Sequence, residues 1–159
     1  MICLPGSHTK WVHVSADEVV SFQTFMSGEL FAAISGHTVL KHSTSGTGWD
    51  AAMFETAVNE TMSRPERLAA HLFSLRAEGL LHGMSNDAAR SRLSGLLIGA
   101  ELAAARPYWL GQQIAVIGAG DIASHYVKAL ALQGTPATQV QGDSVTLAGL
   151  TAAYRRLKG

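Results

Sequence analysis

The order of apolar and polar positions divides the chain into a strand-rich front, a helical middle and an alternating tail. At the front, "ICLP" and "KWVHVS" read as two short strands about the turn "GSHT", and "EVVSFQTFM" continues with β-branched and aromatic residues, which predicts a small β-meander. At "MSGEL" the period changes. Ser27 is predicted to cap a helix with Glu29 in its first turn, and Leu30, Phe31 and Ile34 recur at helical spacing. "KHSTSGTGW" (41–49), rich in Gly, Ser and Thr and without periodicity, predicts a surface loop. Asp50 then caps a helix with Met53, Phe54, Ala57 and Val58 on one face. Ser63-x-x-Glu66 reads as a capping box before "RLAAHLFSLRAEG", which Gly79 closes. Asn86 or Asp87 is predicted to cap a third helix containing "RLSGLLIGAELAAAR", apolar nearly all round and therefore buried, and ending before Pro107. Strand "QIAVIG", helix "DIASHYVKALALQG", strand "ATQVQ" and helix "SVTLAGLTAAYRRLKG" complete a β-α-β-α tail. The order β-β-β-α, a helical insert, then α-β-α-β-α predicts an α/β fold with helices packed on a sheet.

Composition narrows what such a fold can do. The 159 residues suit one domain with a sizeable core. Twelve Lys and Arg balance twelve Asp and Glu, so nothing draws the chain to nucleic acid or an anionic membrane. Cys3 is the one cysteine, which excludes an internal disulfide and suits a reducing compartment. Residues 1–10 lack the pattern of a signal peptide, and the longest apolar run carries Glu101 and is too short to span a bilayer. A cytoplasmic location is the expectation.

Several stretches carry candidate chemistry. In "LPGSHTKWV", Gly6-Ser7-His8-Thr9 offers a permissive glycine, hydroxyls and successive backbone N–H groups, with Lys10 close by; this is either a phosphate-holding nest or a hairpin turn alone. It lacks the G-x-x-x-x-G-K-S/T spacing of a P-loop, and a strand follows it. Gly95 and Gly99 lie on one face of the buried helix and suit close helix contact without chemistry; Glu101 beside them reads as solvated or paired. Glu29 is the carboxylate best placed for catalysis, the alternative being a first-turn residue that complements the helix dipole. No histidine belongs to a metal-binding motif, so no metal ligand is assigned; His71 and His125 read as helix-surface or boundary residues, and Tyr126 and Trp109 as core or rim aromatics. In "IAVIGAGDIASHYVKAL", Gly118-x-Gly120-x-x-Ala123 fits a dinucleotide turn, an adenine-nucleotide turn or a plain strand-turn-helix. Asp143 stands where a dinucleotide fold needs its acid, but too little sequence follows it for the remaining strands.

Five blocks taken in order, "LPGSHTKWV", "FQTFMSGELFAAI", "HLFSLRAEGLL", "RLSGLLIGAELAAA" and "IAVIGAGDIASHYVKAL", resemble the C-terminal half of 2-dehydro-3-deoxygalactonokinases, sugar-acid kinases of the two-lobed actin-like (ribonuclease H-like) ATPase superfamily. The resemblance implies one C-terminal kinase lobe over 1–159: a β-meander with a phosphate loop (1–26), a helical region (27–106) and an adenosine-binding tail (107–159). It implies ATP-dependent phosphorylation of the C6 hydroxyl of 2-dehydro-3-deoxy-D-galactonate, with Mg2+, in galactonate breakdown. Gly6, Ser7, His8 and Lys10 would be the second phosphate loop, which the family usually writes Pro-Gly-Thr-His-x-Lys-Trp; Ser7 keeps the hydroxyl. "SGLLIGAE" would be the second connecting helix at the hinge. Gly118, Gly120 and Asp121, with Tyr126, would form the adenosine segment, although Gly120 departs from the commoner wording. Ser27-Gly28-Glu29 matches the family's Thr-Gly-Glu-Leu block. The family's N-terminal lobe, with its Asp-x-Gly-Ser/Thr-Thr loop, is not in this sequence, so the expectation is weak or no activity alone, with the catalytic base expected in that lobe and Glu29 the secondary candidate here. The alternative is a non-catalytic nucleotide-binding remnant that self-associates through apolar helices such as 90–106; an NAD module rests on Gly118 and Gly120 alone.

Overall fold

Cys3 and Trp11 face each other on adjacent strands at the centre of the sheet, both fully buried. They anchor a computed structural model that describes residues 1–158; Gly159, the end of the helix expected from "SVTLAGLTAAYRRLKG", lies outside the described residues. Strands β1 (Ile2–Leu4), β2 (Thr9–Ser15) and β3 (Glu18–Phe25) pair antiparallel as the expected meander. Ala16 and Asp17 between β2 and β3 both have left-handed backbone, φ 51° and 63°, the sense that matches strand twist in a two-residue hairpin. Strands β4 (Ala115–Ile117) and β5 (Thr138–Val140) extend the sheet on the other side of β1, both parallel, giving the order β3-β2-β1-β4-β5.

The helices are α1 (Ser27–His37), α2 (Ala51–Ser63), α3 (Leu68–Leu81), α4 (Asn86–Ala104), α5 (Arg106–Trp109), α6 (Gly120–Leu132) and α7 (Gly142–Lys158). A mixed α/β fold is therefore what forms, with α5, a short turn around Pro107, added to the expected set. One core cluster joins the sheet to α2, α4 and α6 through residues such as Trp11, Phe54, Leu102 and Tyr126. A second gathers Leu40, Leu75, Leu93 and Leu96, with Phe31 and Ile34 of α1 against it.

Helix α4 is buried along most of its length, as its all-round apolar pattern predicts. Methyl groups at Gly95 and Gly99 would run into the backbone of Phe54 and Val58 in α2, so these glycines set the approach of the two helices. Thr61 closes the contact by donating its hydroxyl to the Leu96 carbonyl at 2.9 Å. The apolar helix 90–106, expected to need an outside partner, is covered by α2 and α3 of its own chain. Arg92 is buried between Glu78, at 2.8 Å, and Glu60, at 3.2 Å, tying α2 and α3 to α4.

Local signals misplaced several boundaries. The cap position of α1 is Met26, and Ser27 lies inside the first turn. Ser63 ends α2 and donates to the Asn59 carbonyl instead of opening a capping box, because Pro65 starts a 3-10 turn and α3 begins only at Leu68. Gly79 sits inside α3, and Gly83, at φ 69°, makes the turn that follows. Ser85 caps α4 by accepting from the Ala88 N–H, which frees Asn86 and Asp87 to hold the preceding loop through Ser45 and Gly48. That loop, 41–49, is tied down: Ser43 and Thr44 are buried, and Thr44 donates to the Leu40 carbonyl. Helix α7 adds little to the expected packing of helices on a sheet: it has no buried residue and leaves Leu147, Leu150 and Tyr154 exposed.

Candidate nucleotide-binding cleft

Because β1 and β4 are parallel neighbours, the loops leaving their C-terminal ends open on the same edge of the sheet, where α/β folds place ligands. A cleft of about 670 Å³ lies there. Gly6 and Ser7 from the β1–β2 loop form one wall, with Ser27 and Gly28 of α1. Asp121, Ile122 and His125 of α6 form the second. Thr47, Gly48 and Trp49, with Arg90 and Ser94 of α4, form the third.

The first wall is built by backbone contact. A side chain on Gly28 would overlap the Gly6 carbonyl and the Ser7 Cα, and the Glu29 N–H donates to the Ser7 carbonyl at 2.9 Å. The Ser27-Gly28-Glu29 block therefore seats α1 on the loop. On the second wall Gly120 has φ 66°, a conformation glycine supplies without strain, and Gly118 packs against the Pro5 ring and Gly142.

Gly6, Ser7 and Asp121 thus meet in the cleft, with Gly118 and Gly120 forming the turn that brings Asp121 there. The other sequence-selected residues, His8, Lys10, Glu29, Gly118 and Gly120, do not line it. His8 turns to Glu29, Nε2 to Oε2 at 2.5 Å, both half exposed, and the Lys10 amine donates to the His8 carbonyl at 3.2 Å. Lys10 is exposed on β2, between the buried Thr9 and Trp11.

Beneath the first wall lies a polar cluster that sequence reasoning missed. Glu101 is buried and is neither solvated nor ion-paired. The Trp11 indole N–H and the Tyr126 hydroxyl each donate to it at 2.8 Å, and Thr9 bonds Tyr126 at 2.9 Å. Burial pushes the Glu101 carboxyl above the ordinary carboxylate range, against hydrogen bonds from Ser27, Trp11, Tyr126 and Thr9. Burial and then Glu101 push both the Tyr126 hydroxyl and the Cys3 thiol well up. The sequence did hold one signal: a glutamate on a helix without a polar face must find donors inside. Tyr126 and Trp109 are core aromatics as expected.

On the remaining walls, the rings of Trp49 and His125 stack with centroids 3.8 Å apart and planes 6° apart. His125 is a half-buried boundary residue that also lines the cleft; burial holds its imidazole below the ordinary histidine range, Asp121 raising it and Lys128 lowering it to lesser extents. No local pattern marks Trp49 or Arg90, since neither repeats nor sits in a motif. Among the described residues, no three His, Cys, Asp or Glu side chains group to hold a metal ion, and no helix is long and apolar enough to cross a membrane.

A mixed five-stranded sheet in which the parallel neighbours β1 and β4 each run into a glycine-bearing loop on the cleft side defines an α/β fold with a candidate ligand site. The chain belongs to the 2-keto-3-deoxy-galactonokinase family, whose model matches residues 1–153. It is 40% identical over 161 aligned positions to a Rhizobium meliloti (strain 1021) protein described as a 2-dehydro-3-deoxygalactonokinase, covering 99% of this chain and 53% of that one. To the Escherichia coli (strain K12) 2-dehydro-3-deoxygalactonokinase it is 33% identical, over 92% of this chain and 50% of the relative. A Sinorhizobium meliloti crystal structure, described as a 2-dehydro-3-deoxygalactonokinase protein, superposes with a TM-score of 0.93 at 40% identity, over 98% of this chain and 53% of that one. The chain spans about half the length of the relatives it matches.

Proposed function

We propose that residues 1–159 supply the nucleotide-binding, actin-like lobe of a cytoplasmic kinase that phosphorylates the C6 hydroxyl of 2-dehydro-3-deoxy-D-galactonate with ATP, in galactonate breakdown. The supporting observation is that Gly6 and Ser7 of one loop and Asp121, at the end of a turn more than a hundred residues further on, line one cleft. On this reading the Ser7 hydroxyl and the backbone N–H groups of its loop bind phosphate, and the Gly118–Asp121 turn binds adenosine. The C6 oxygen attacks the γ-phosphorus and takes the phosphoryl group, the bond to the β,γ-bridging oxygen breaks, ADP leaves, and a base takes the hydroxyl proton. Such a transfer depends on positioning and on electrostatic stabilisation of the phosphoryl oxygens.

The base and the acceptor side of the cleft would come from the rest of the relatives' length; Glu29, bonded to His8 beside the phosphate loop, is the secondary candidate for the base in this chain. The described residues group no metal ligands, so Mg2+ is assigned no protein ligand here and would arrive on the nucleotide. A coupled ADP-release assay tests the reading, using these residues joined to the segment that completes the relatives' length. Turnover dependent on the keto-deoxy sugar acid is expected; its absence contradicts the proposal.

A further inference from the structure

The Arg90 guanidinium lies over the Phe31 ring, 4.9 Å from its centroid, half buried on the third wall of the cleft. Among the described residues no carboxylate lies within ion-pair distance of it, although Arg92, two residues along the same helix, is held by both Glu60 and Glu78. The two arginines have different tasks. Arg92 joins helices in the core. Arg90 is held by the face of a ring, which fixes the plane of the guanidinium and leaves its N–H edge free.

The surroundings give that edge a purpose. Lys10, the cation the sequence suggests for the site, does not line the cleft. His125 lines it, but burial favours its neutral form. Arg90 is therefore the cation facing this space among the described residues, with the Ser94 hydroxyl one turn further along α4 and the Ser7 loop on another wall. A planar guanidinium with its edge free matches two oxygens of a phosphate or a carboxylate.

We propose that Arg90 is the anion-binding residue of the cleft, donating in bidentate fashion to a nucleotide phosphate or to the sugar-acid carboxylate. The inference rests on the kinase reading only for the choice between these two anions. Calorimetric titration of the 159-residue chain and its Arg90→Gln variant with tripolyphosphate, ADP, adenosine and 2-dehydro-3-deoxy-D-galactonate tests it. Arg90→Gln is expected to weaken tripolyphosphate and ADP by about tenfold or more while adenosine binding stays unchanged. A loss confined to the sugar acid supports the same site with the carboxylate as its ligand. Arg90-dependent tripolyphosphate binding, with ADP no tighter and adenosine unbound, keeps the anion site and removes the nucleotide reading. Equal binding of every anion by both proteins, or no anion bound by the native chain, overturns the proposal. Where Arg90→Gln melts early, Arg90→Lys carries the test: it keeps the charge, lacks the fork, and is expected to bind the same anion several-fold more weakly.

Discussion

Gly28 rests directly on the carbonyl oxygen of Gly6, and no side chain fits between them. This contact makes the phosphate-loop candidate and the start of α1 a single unit, so a methyl at position 28 has to move one or the other. Gly28→Ala is expected to cost about 1–3 kcal/mol, the usual penalty of overpacking, and to lower the melting temperature by roughly 3–10 °C at this chain length. Gly36→Ala, in the same helix with open space around it, provides the control and is expected to melt at or slightly above the native temperature. Equal melting of the two variants would contradict the contact.

Glu101 collects the Trp11 and Tyr126 donors, and removing it leaves both buried without an acceptor. Glu101→Ala is expected to destabilise the fold by about 2–4 kcal/mol, whereas Glu101→Gln keeps polar atoms in place and costs less. The two carboxamide and carboxyl forms also separate by pH. Because burial raises the folded-state value of Glu101 above its ordinary 4.5, its favourable contribution is complete below that pH and is lost as pH rises through the raised value. Urea denaturation across pH 4 to 8 is expected to show the native chain losing stability relative to Glu101→Gln as pH rises. Parallel curves would refute a buried, proton-favouring Glu101.

His125 works in the opposite direction. Burial against Trp49 lowers its folded-state value below the ordinary 6.5, so the unfolded chain takes up a proton first. Stability is present above pH 6.5 and declines as pH falls through the lowered value. His125→Phe keeps a ring for Trp49 and is expected to abolish this acid-side decline, read as the difference between the two denaturation curves below pH 6.5. A difference independent of pH would show that His125 is not held neutral by burial.

Much of this was legible in the chain itself. The meander, the Asp50 cap, the buried α4 and the glycine pair at 95 and 99 all follow from period, cap chemistry and side-chain size, which are local quantities. The Asp50 carboxylate does accept from the Met53 N–H at 3.0 Å. What escaped depends on partners distant in sequence. "KHSTSGTGW" has the composition of a solvated loop, yet Asn86 and Asp87 grip it and Trp49 finds His125, seventy-six positions further on. Lys10 is near Ser7 in sequence, but strand alternation sets it on the face opposite Thr9 and Trp11, while Arg90, remote in sequence, reaches the cleft. Gly79 and Ser63 carried valid boundary chemistry; Pro65 and Gly83 prevailed because one blocks helix continuation and the other takes the left-handed turn.

Gly6, Ser7 and Asp121 line one cleft, and a crystal structure of the chain with a non-hydrolysable ATP analogue tests most directly whether a nucleotide occupies it. Adenosine is expected against the Gly118–Asp121 turn and the phosphates at the Gly6–Ser7 loop. An analogue bound with those ends reversed, or seated away from this cleft, would contradict this placement.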